Sequence, residues 1–218
     1  MSLGHGASIA RNGLVLALDG GNTKSYTGAG NVWRDLITNT ASTGTSEPSE
    51  LTNPASLSAA PLTELTVMGV VTLLGTSAGY AFHPISKWTG INDATFVLYH
   101  FLDFDTPGSG YRLAWYGNRG GEWSTLSSIY QGAIDQTYHV VLQYNSTTGG
   151  QMWINGSKAG VRTGSGTLFN NSINIKIDGG PQPRAGIHNT KHVLVYNREL
   201  SDNEIIQNYN ALRGRYGI

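Results

Sequence analysis

The sequence contains no cysteine. A disulfide framework, a thiolate metal site and a cysteine nucleophile are therefore all excluded. Charge is scarce and balanced: lysine plus arginine number 14, aspartate plus glutamate 14, and together they make up 13% of the 218 residues. An ordinary soluble domain carries about 25%. With no basic surplus there is no electrostatic footprint for DNA or an anionic bilayer, so neither a nucleic-acid partner nor membrane insertion is expected. The apolar runs are too short to span a bilayer, and the opening "MSLGHGASIARNG" lacks the apolar stretch of a signal peptide. A product made in the cytoplasm is predicted. A surface built from Ser, Thr, Asn and Gln gives up little solvation and side-chain entropy on contact, which suits life in an assembly, and extracellular β-modules share this composition.

What the chain does have is strands. Short apolar runs rich in β-branched residues recur between turn signals, at Leu14 to Leu18, Leu62 to Leu74, Ala94 to Phe104, Tyr111 to Gly117, Thr137 to Asn145, Gln151 to Gly160, Ile173 to Asp178 and Lys191 to Asn197. Alternation at this spacing predicts an all-β, antiparallel fold. The clearest local signal is "QYNSTTGGQMWINGSKAGV", where Asn155-Gly156 supplies a hairpin turn within a three-stranded meander. Residues 1–13 read as an N-terminal tail or arm, and 14–218 as one domain. Within it, the polar run 37–61 reads as a long surface excursion.

The close of the chain, residues 201–213, reads as a short helix. Ser201 is its N-cap and Glu204 completes a capping box. Asp202 and Glu204 suit the positive end of the helix dipole, and Arg213 the negative end. Ile205, Tyr209 and Leu212 form an apolar stripe, and Gly214 is the expected stop. A helix this short is not stable alone in water, so its stripe must dock on the sheets.

Two terminal stretches carry a resemblance. The opening has Asp19, Asn22, Lys24-Ser25-Tyr26 and Trp33-Arg34-Asp35-Leu36; the close has "VYNRELS" (Val195 to Ser201, with Tyr196 and Asn197), Glu204 and Gln207 to Ala211 with Tyr209. Together with "MWINGSKAG" they resemble the concanavalin A-like lectin/glucanase modules, related to laminin G-like domains. More narrowly they resemble the version found in virion structural proteins of tailed bacteriophages, notably those of cyanobacteria. The resemblance implies a jelly-roll β-sandwich of two antiparallel sheets with a short C-terminal helix. It also implies a surface-exposed capsid-decoration or fibre-associated protein in the virion, with major capsid or tail proteins and copies of itself as partners. The alternative is an adhesin that binds host cell-surface polysaccharide. Some relatives hold calcium on acidic loop residues; those residues are missing here, so no metal or cofactor is expected.

Catalytic members of the glucanase branch need two carboxyls close together on one cleft face. Here Glu64 is isolated, Glu122 lies in a loop, and Glu199 and Glu204 belong to the terminal segment, so no enzyme activity is expected. His188 and His192 are four apart but enter a strand, where that spacing is too wide for one ion. Trp115, Tyr116, Asn118, Arg119 and Trp123, with Tyr130 nearby, are the candidate glycan or partner contacts. Aromatic rings beside Asn and Arg suit sugar faces, and the bland alternative is that alternate members fill the core. Asp19, Trp33 and Asp35 are assigned to fixing turns, because carboxylates in such corners accept several backbone N–H groups.

Overall fold

A computed structural model describes residues 8–28, 32–42, 49–57, 61–73, 83–88, 93–102, 111–127, 129–178 and 188–218. Residues 1–7 of the expected tail, 43–48 and 58–60 of the polar excursion, and the turn at 105–110 lie outside the described residues. The strands are β1 (Leu14–Asp19), β2 (Ser49–Leu51), β3 (Glu64–Leu73), β4 (Ile85–Lys87), β5 (Phe96–Leu102), β6 (Tyr111–Arg119) and β7 (Glu122–Thr125). They continue with β8 (Tyr130–Gly132), β9 (Thr137–Asn145), β10 (Gly149–Ile154), β11 (Ser157–Arg162), β12 (Ile175–Ile177) and β13 (His188–Tyr196), and the helix α1 spans Asp202–Tyr216.

One sheet has six strands in the order β1-β13-β3-β9-β10-β11; the other has seven, β2-β12-β4-β5-β6-β7, with β8 also on β6. Both are antiparallel, and they stack as the expected jelly-roll sandwich. Leu65, Val67, Val71, Val140, Leu142 and Tyr144 of the first sheet meet Ile85, Phe96, Leu98, Leu113 and Trp115 of the second in one core. Gly69 interrupts the inner row of β3 because the Ile85 side chain fills the space a Cβ would need.

The outer face of the six-stranded sheet is organised in three rows by the strand register. Gln151, Gln143, Thr66 and Tyr196 stand opposite one another across β10, β9, β3 and β13. Trp153, Val141, Met68, Leu194 and Ala17 form the next row, and His139, Val70, His192 and Asp19 the third. Helix α1 covers all three. It starts over the polar row, where Thr66 Oγ1 accepts the Leu200 N–H and Gln143 Nε2 donates to the Leu200 carbonyl. Its buried Ile205, Asn208 and Leu212 lie over the sheet. It ends over the ionisable row, where Arg215 and Tyr216 bond Asp19. Each fully buried aliphatic side chain stabilises this docking by roughly 1.5–3 kcal/mol.

The helix has its capping box at Ser201 and Glu204 as predicted. It does not stop at Gly214. It continues to Tyr216 and ends on Gly217, in the left-handed region at φ 70°, whose N–H bonds the Arg213 carbonyl. The extra turn is held by Asp19, a partner 196 residues away that helix signals do not reveal. The stripe is also shifted: Asn208 is fully buried while Tyr209 is half-buried against the His139 ring.

Two boundaries move. The expected N-terminal tail is packed from Ser8 onward: Ala10 is buried, its N–H donates to Asn208 Oδ1, and its carbonyl accepts the Tyr196 hydroxyl. The excursion at 37–61 is not wholly on the surface, because β2 pairs with β12 and buries Leu51, and Leu57 enters the core as well. A three-residue strand shows too little alternation to stand out in a Ser/Thr/Pro run.

Candidate functional site

Among the described residues no helix covers the outer face of the seven-stranded sheet. Alternation along β6 turns Arg112, Ala114, Tyr116 and Asn118 outward; the register sets Trp123 of β7 opposite Asn118, Thr125 opposite Tyr116, and Gln131 of β8 opposite Arg112. Tyr116 and Trp123 are half-buried and stack at 5.6 Å with 16° between their planes. Trp88, just past β4, stacks on Trp123 at 5.8 Å and 28°, and His83 meets Trp88 edge-on at 4.7 Å. Val97 and Ala94 pack beneath the indoles. The result is a row of rings on the outer sheet face in which Tyr116 and Trp123 are half-buried while Trp88, His83 and the Asn118 amide at its end are buried. Burial of the His83 imidazole pushes it down to about 4, so it is neutral at physiological pH.

Of the five residues expected to make contacts, the structure brings Tyr116, Asn118 and Trp123 together. Trp115 is fully buried on the inner face against Phe96, so it is a core residue and not a surface contact. Arg119 also leaves the group: strand parity turns it away from Tyr116, and its guanidinium lies against Gly164 at the sandwich end, where it bonds Tyr144. Two residues adjacent in a strand cannot both serve one face, so the run Trp115-Tyr116 had to divide. Trp88 and His83 were not foreseen, because only the sheet packing places that segment beside β7.

The motif residues have structural posts. Asp35 Oδ1 accepts the Ala17 and Ile37 N–H groups, and Oδ2 accepts the Thr38 N–H and hydroxyl. Trp33 is buried and stacks on Tyr26 at 4.7 Å. Asn155 and Gly156 adopt φ 49° and 75°, as a two-residue hairpin requires, and Asn155 Oδ1 accepts the His139 N–H. Asn197 donates its N–H to the Gly13 carbonyl. Asp19 accepts from Gly21 N–H, from the Tyr216 hydroxyl at 2.7 Å and from Arg215 Nη1 at 2.7 Å. Burial pushes its carboxyl up, but hydrogen bonds from His192 and Tyr216 and the charges of His192 and Arg215 together outweigh that and hold it at about 2. This carboxylate ties the helix end to the sheet.

A buried lysine was also missed. Lys87 is fully buried on β4, with Nζ 2.8 Å from Asn171 Oδ1, 2.5 Å from the Asn171 carbonyl and 3.2 Å from Asn170 Oδ1. Burial lowers its pKa to about 8, against the opposing charge of Asp93. The oxygen cage joins the β4–β5 rim to the loop before β12. Nothing in "ISKW" announces an ammonium that turns inward.

Neither a protein-family model nor a curated protein matches the sequence. Solved structures do match its fold. Trypanosoma rangeli sialidase superposes with a TM-score of 0.58 at 17% identity, over 97% of this chain and 35% of that one. The binding domain of botulinum neurotoxin serotype D superposes with 0.62 at 13% identity, over 91% of this chain and 51% of that one. The serotype G binding domain gives 0.62 at 10%, over 90% and 50%. The chain thus spans about a third of the sialidase and half of the toxin domains. At these identities the likeness is one of fold, a β-sandwich.

Proposed function

We propose that this chain is a non-catalytic carbohydrate-binding module that takes a polysaccharide on the open face of its seven-stranded sheet. The stacked Tyr116–Trp123 pair, half-buried on that face, is the observation that carries the reading. Rings present apolar area to sugar C–H groups at little entropic cost. The architecture recurs in a sialidase seen with sialic acid and in domains named for binding. Fold by itself does not assign function, so the reading rests on the face. Glycan-array binding should fall at least tenfold in Trp123→Ala and Tyr116→Ala while both variants keep the wild-type circular dichroism spectrum. A blank array across cell-envelope polysaccharides would sink the proposal, and sugar release in a reducing-end or sialidase assay would sink its non-catalytic part.

The setting we propose is a virion surface, with capsid or tail proteins and further copies of this chain as neighbours. The resemblance of the two terminal stretches to phage structural proteins favours it, as does the low charge. The residues carrying that resemblance serve the fold internally, so the setting needs its own test. Mass spectrometry of purified particles and immunogold labelling should find the protein on the exterior; particles without it would overturn the setting and leave the binding face untouched.

A further inference from the structure

Helix α1 takes part in no strand pairing, so it can lift off the sandwich without breaking either sheet. The packing is divided in the same way. The cluster between the sheets contains no helix residue. Ile205 packs instead in a second cluster with Met68, Val141, Trp153, Leu194 and Tyr196, on the outer face of the six-stranded sheet. An element with its own small cluster is a unit that can open locally, ahead of global unfolding.

Beneath this helix lies a histidine without a partner. His139 on β9 is fully buried, and neither ring nitrogen is hydrogen-bonded among the described residues. Its backbone is fixed: the N–H donates to Asn155 Oδ1 at 2.8 Å and the carbonyl accepts the Asn155 N–H at 2.9 Å. The ring is covered from the helix by Tyr209, at 5.8 Å, which fills the space a Cβ on Gly156 would need. Farther along the same row, buried His192 stands 3.4 Å from the Tyr216 hydroxyl and 3.9 Å from the Asp19 carboxylate. From the helix, Arg213 lies 6.0 Å from the Tyr209 ring and Arg215 bonds Asp19. The carboxylate of the row is thus already paired with a cation, and a proton arriving on His139 enters a desolvated site with no acceptor to share it.

We infer that α1 is an acid-released strap: protonation of His139 favours a state in which the helix has lifted from the six-stranded sheet while the sandwich stays folded. Linkage gives the direction. Burial first, and the charge of His192 second, hold the ring at about 3 in the docked state, against 6.5 for a solvated imidazole. The released state binds a proton that the docked state refuses, so release becomes more favourable as pH falls below 6.5. Asp19, held at about 2, stays ionised throughout this window and keeps its bonds to Arg215 and Tyr216 until the helix leaves. Release uncovers Met68, Val141, Trp153 and Leu194, an apolar face that the neutral protein hides. The strap lies on the sheet opposite Tyr116 and Trp123, and its release is independent of glycan binding there.

The test is hydrogen exchange of the full chain read by mass spectrometry, corrected for the intrinsic pH dependence of amide exchange. Between pH 7 and pH 5 residues 202–216 should exchange roughly 25-fold faster, the effect of one proton taken up near 6.5, while β5 and β6 stay protected over the same hours. A dye that binds exposed apolar surface should brighten over the same range. His139→Leu keeps an apolar filling and should remove most of the step. Tyr209→Ala, which uncovers the ring without emptying the core, should bring fast helix exchange to neutral pH and flatten its pH dependence. Helix and β5–β6 exchanging together at pH 5 would mean one global transition and overturn the strap. A step of unchanged size in His139→Leu, or no step down to pH 5, would overturn it as well.

Discussion

The two sheets carry opposite outer faces. On the six-stranded sheet, Thr66, Met68, Val70, His139, Val141, Leu194 and Tyr196 are all buried, because a helix capped at both ends lies across them. On the seven-stranded sheet, Val97, Ala114 and Asn118 are buried at the centre of the outer face, but Tyr116, Trp123 and Thr125 are half-buried and Gln131 is exposed. Each face holds a tryptophan on a strand: Trp153 is 3% exposed and bonded to Gln143, while Trp123 stays partly open in a stack of rings. Aromatic area that packs a helix serves stability, and aromatic area left uncovered is available to a partner.

The sharpest way to break this contrast is to remove each indole. Trp153→Ala should cost about 3–5 kcal/mol, the range for emptying a buried aromatic site. Trp123→Ala should cost about 1–2 kcal/mol, since a half-buried ring removes less apolar area, yet it should abolish glycan binding. Urea denaturation curves of the two variants measure the difference. Equal losses would mean that the open face is a second core.

The next effect is acid sensitivity of the covered face. The His139 ring is fully buried, and neither ring nitrogen has a hydrogen-bond partner. Burial, with the nearby His192 charge, pushes it down to about 3. Around it stand His192 and, from the helix, Tyr209, with Asp19, Arg215 and Tyr216 at the far end of the row. The unfolded chain binds a proton near pH 6.5 that the folded chain refuses, so stability falls as pH drops below 6.5. The loss reaches on the order of 2 kcal/mol by pH 5. Asp19 and Glu204, both held at about 2, add losses only as pH falls below about 4. Thermal melts from pH 7 to 4.5 should slope downward in the wild type and lose about half of that slope in His139→Leu, because buried His83, held at about 4, contributes a loss of similar size. A slope unchanged in His139→Leu would assign the acid sensitivity to the other face.

Smaller still is the cap. Ser201→Ala should remove about 1 kcal/mol by freeing the Glu204 N–H, and hydrogen exchange should rise in the first helical turn before the sheets respond. Smallest is Lys176→Ala, which breaks the cross-strand pair with Glu50 on the seven-stranded sheet. The pair is only partly exposed but ends at the sheet surface, so it is worth less than about 1 kcal/mol and the melting temperature should barely move.

Much of the fold was legible. Alternation located most of the long strands, Asn155-Gly156 marked the hairpin, and the capping box marked the helix start. The strands that escaped, β2, β4, β7 and β8, are three or four residues long and leave too few positions for a period to show. Of the five candidate contact residues, the register sets three, Tyr116, Asn118 and Trp123, on one sheet face. Trp115 and Arg119 were included by proximity in sequence, although neighbours in a strand point to opposite faces.

The sequence alone determined the local matters: which runs are strands, where the helix begins, which corners need Asp19 and Asp35. These depend on interactions within a few residues, and the chain encodes them in residue type and spacing. Tertiary structure alone decided which sheet face the helix covers and which stays open. It also brought Arg215 to Asp19, Trp88 to Trp123, and Glu199 and Asp202 to Gln143 and Gln151. Those partners are set by strand order and register, long-range quantities that no local pattern specifies.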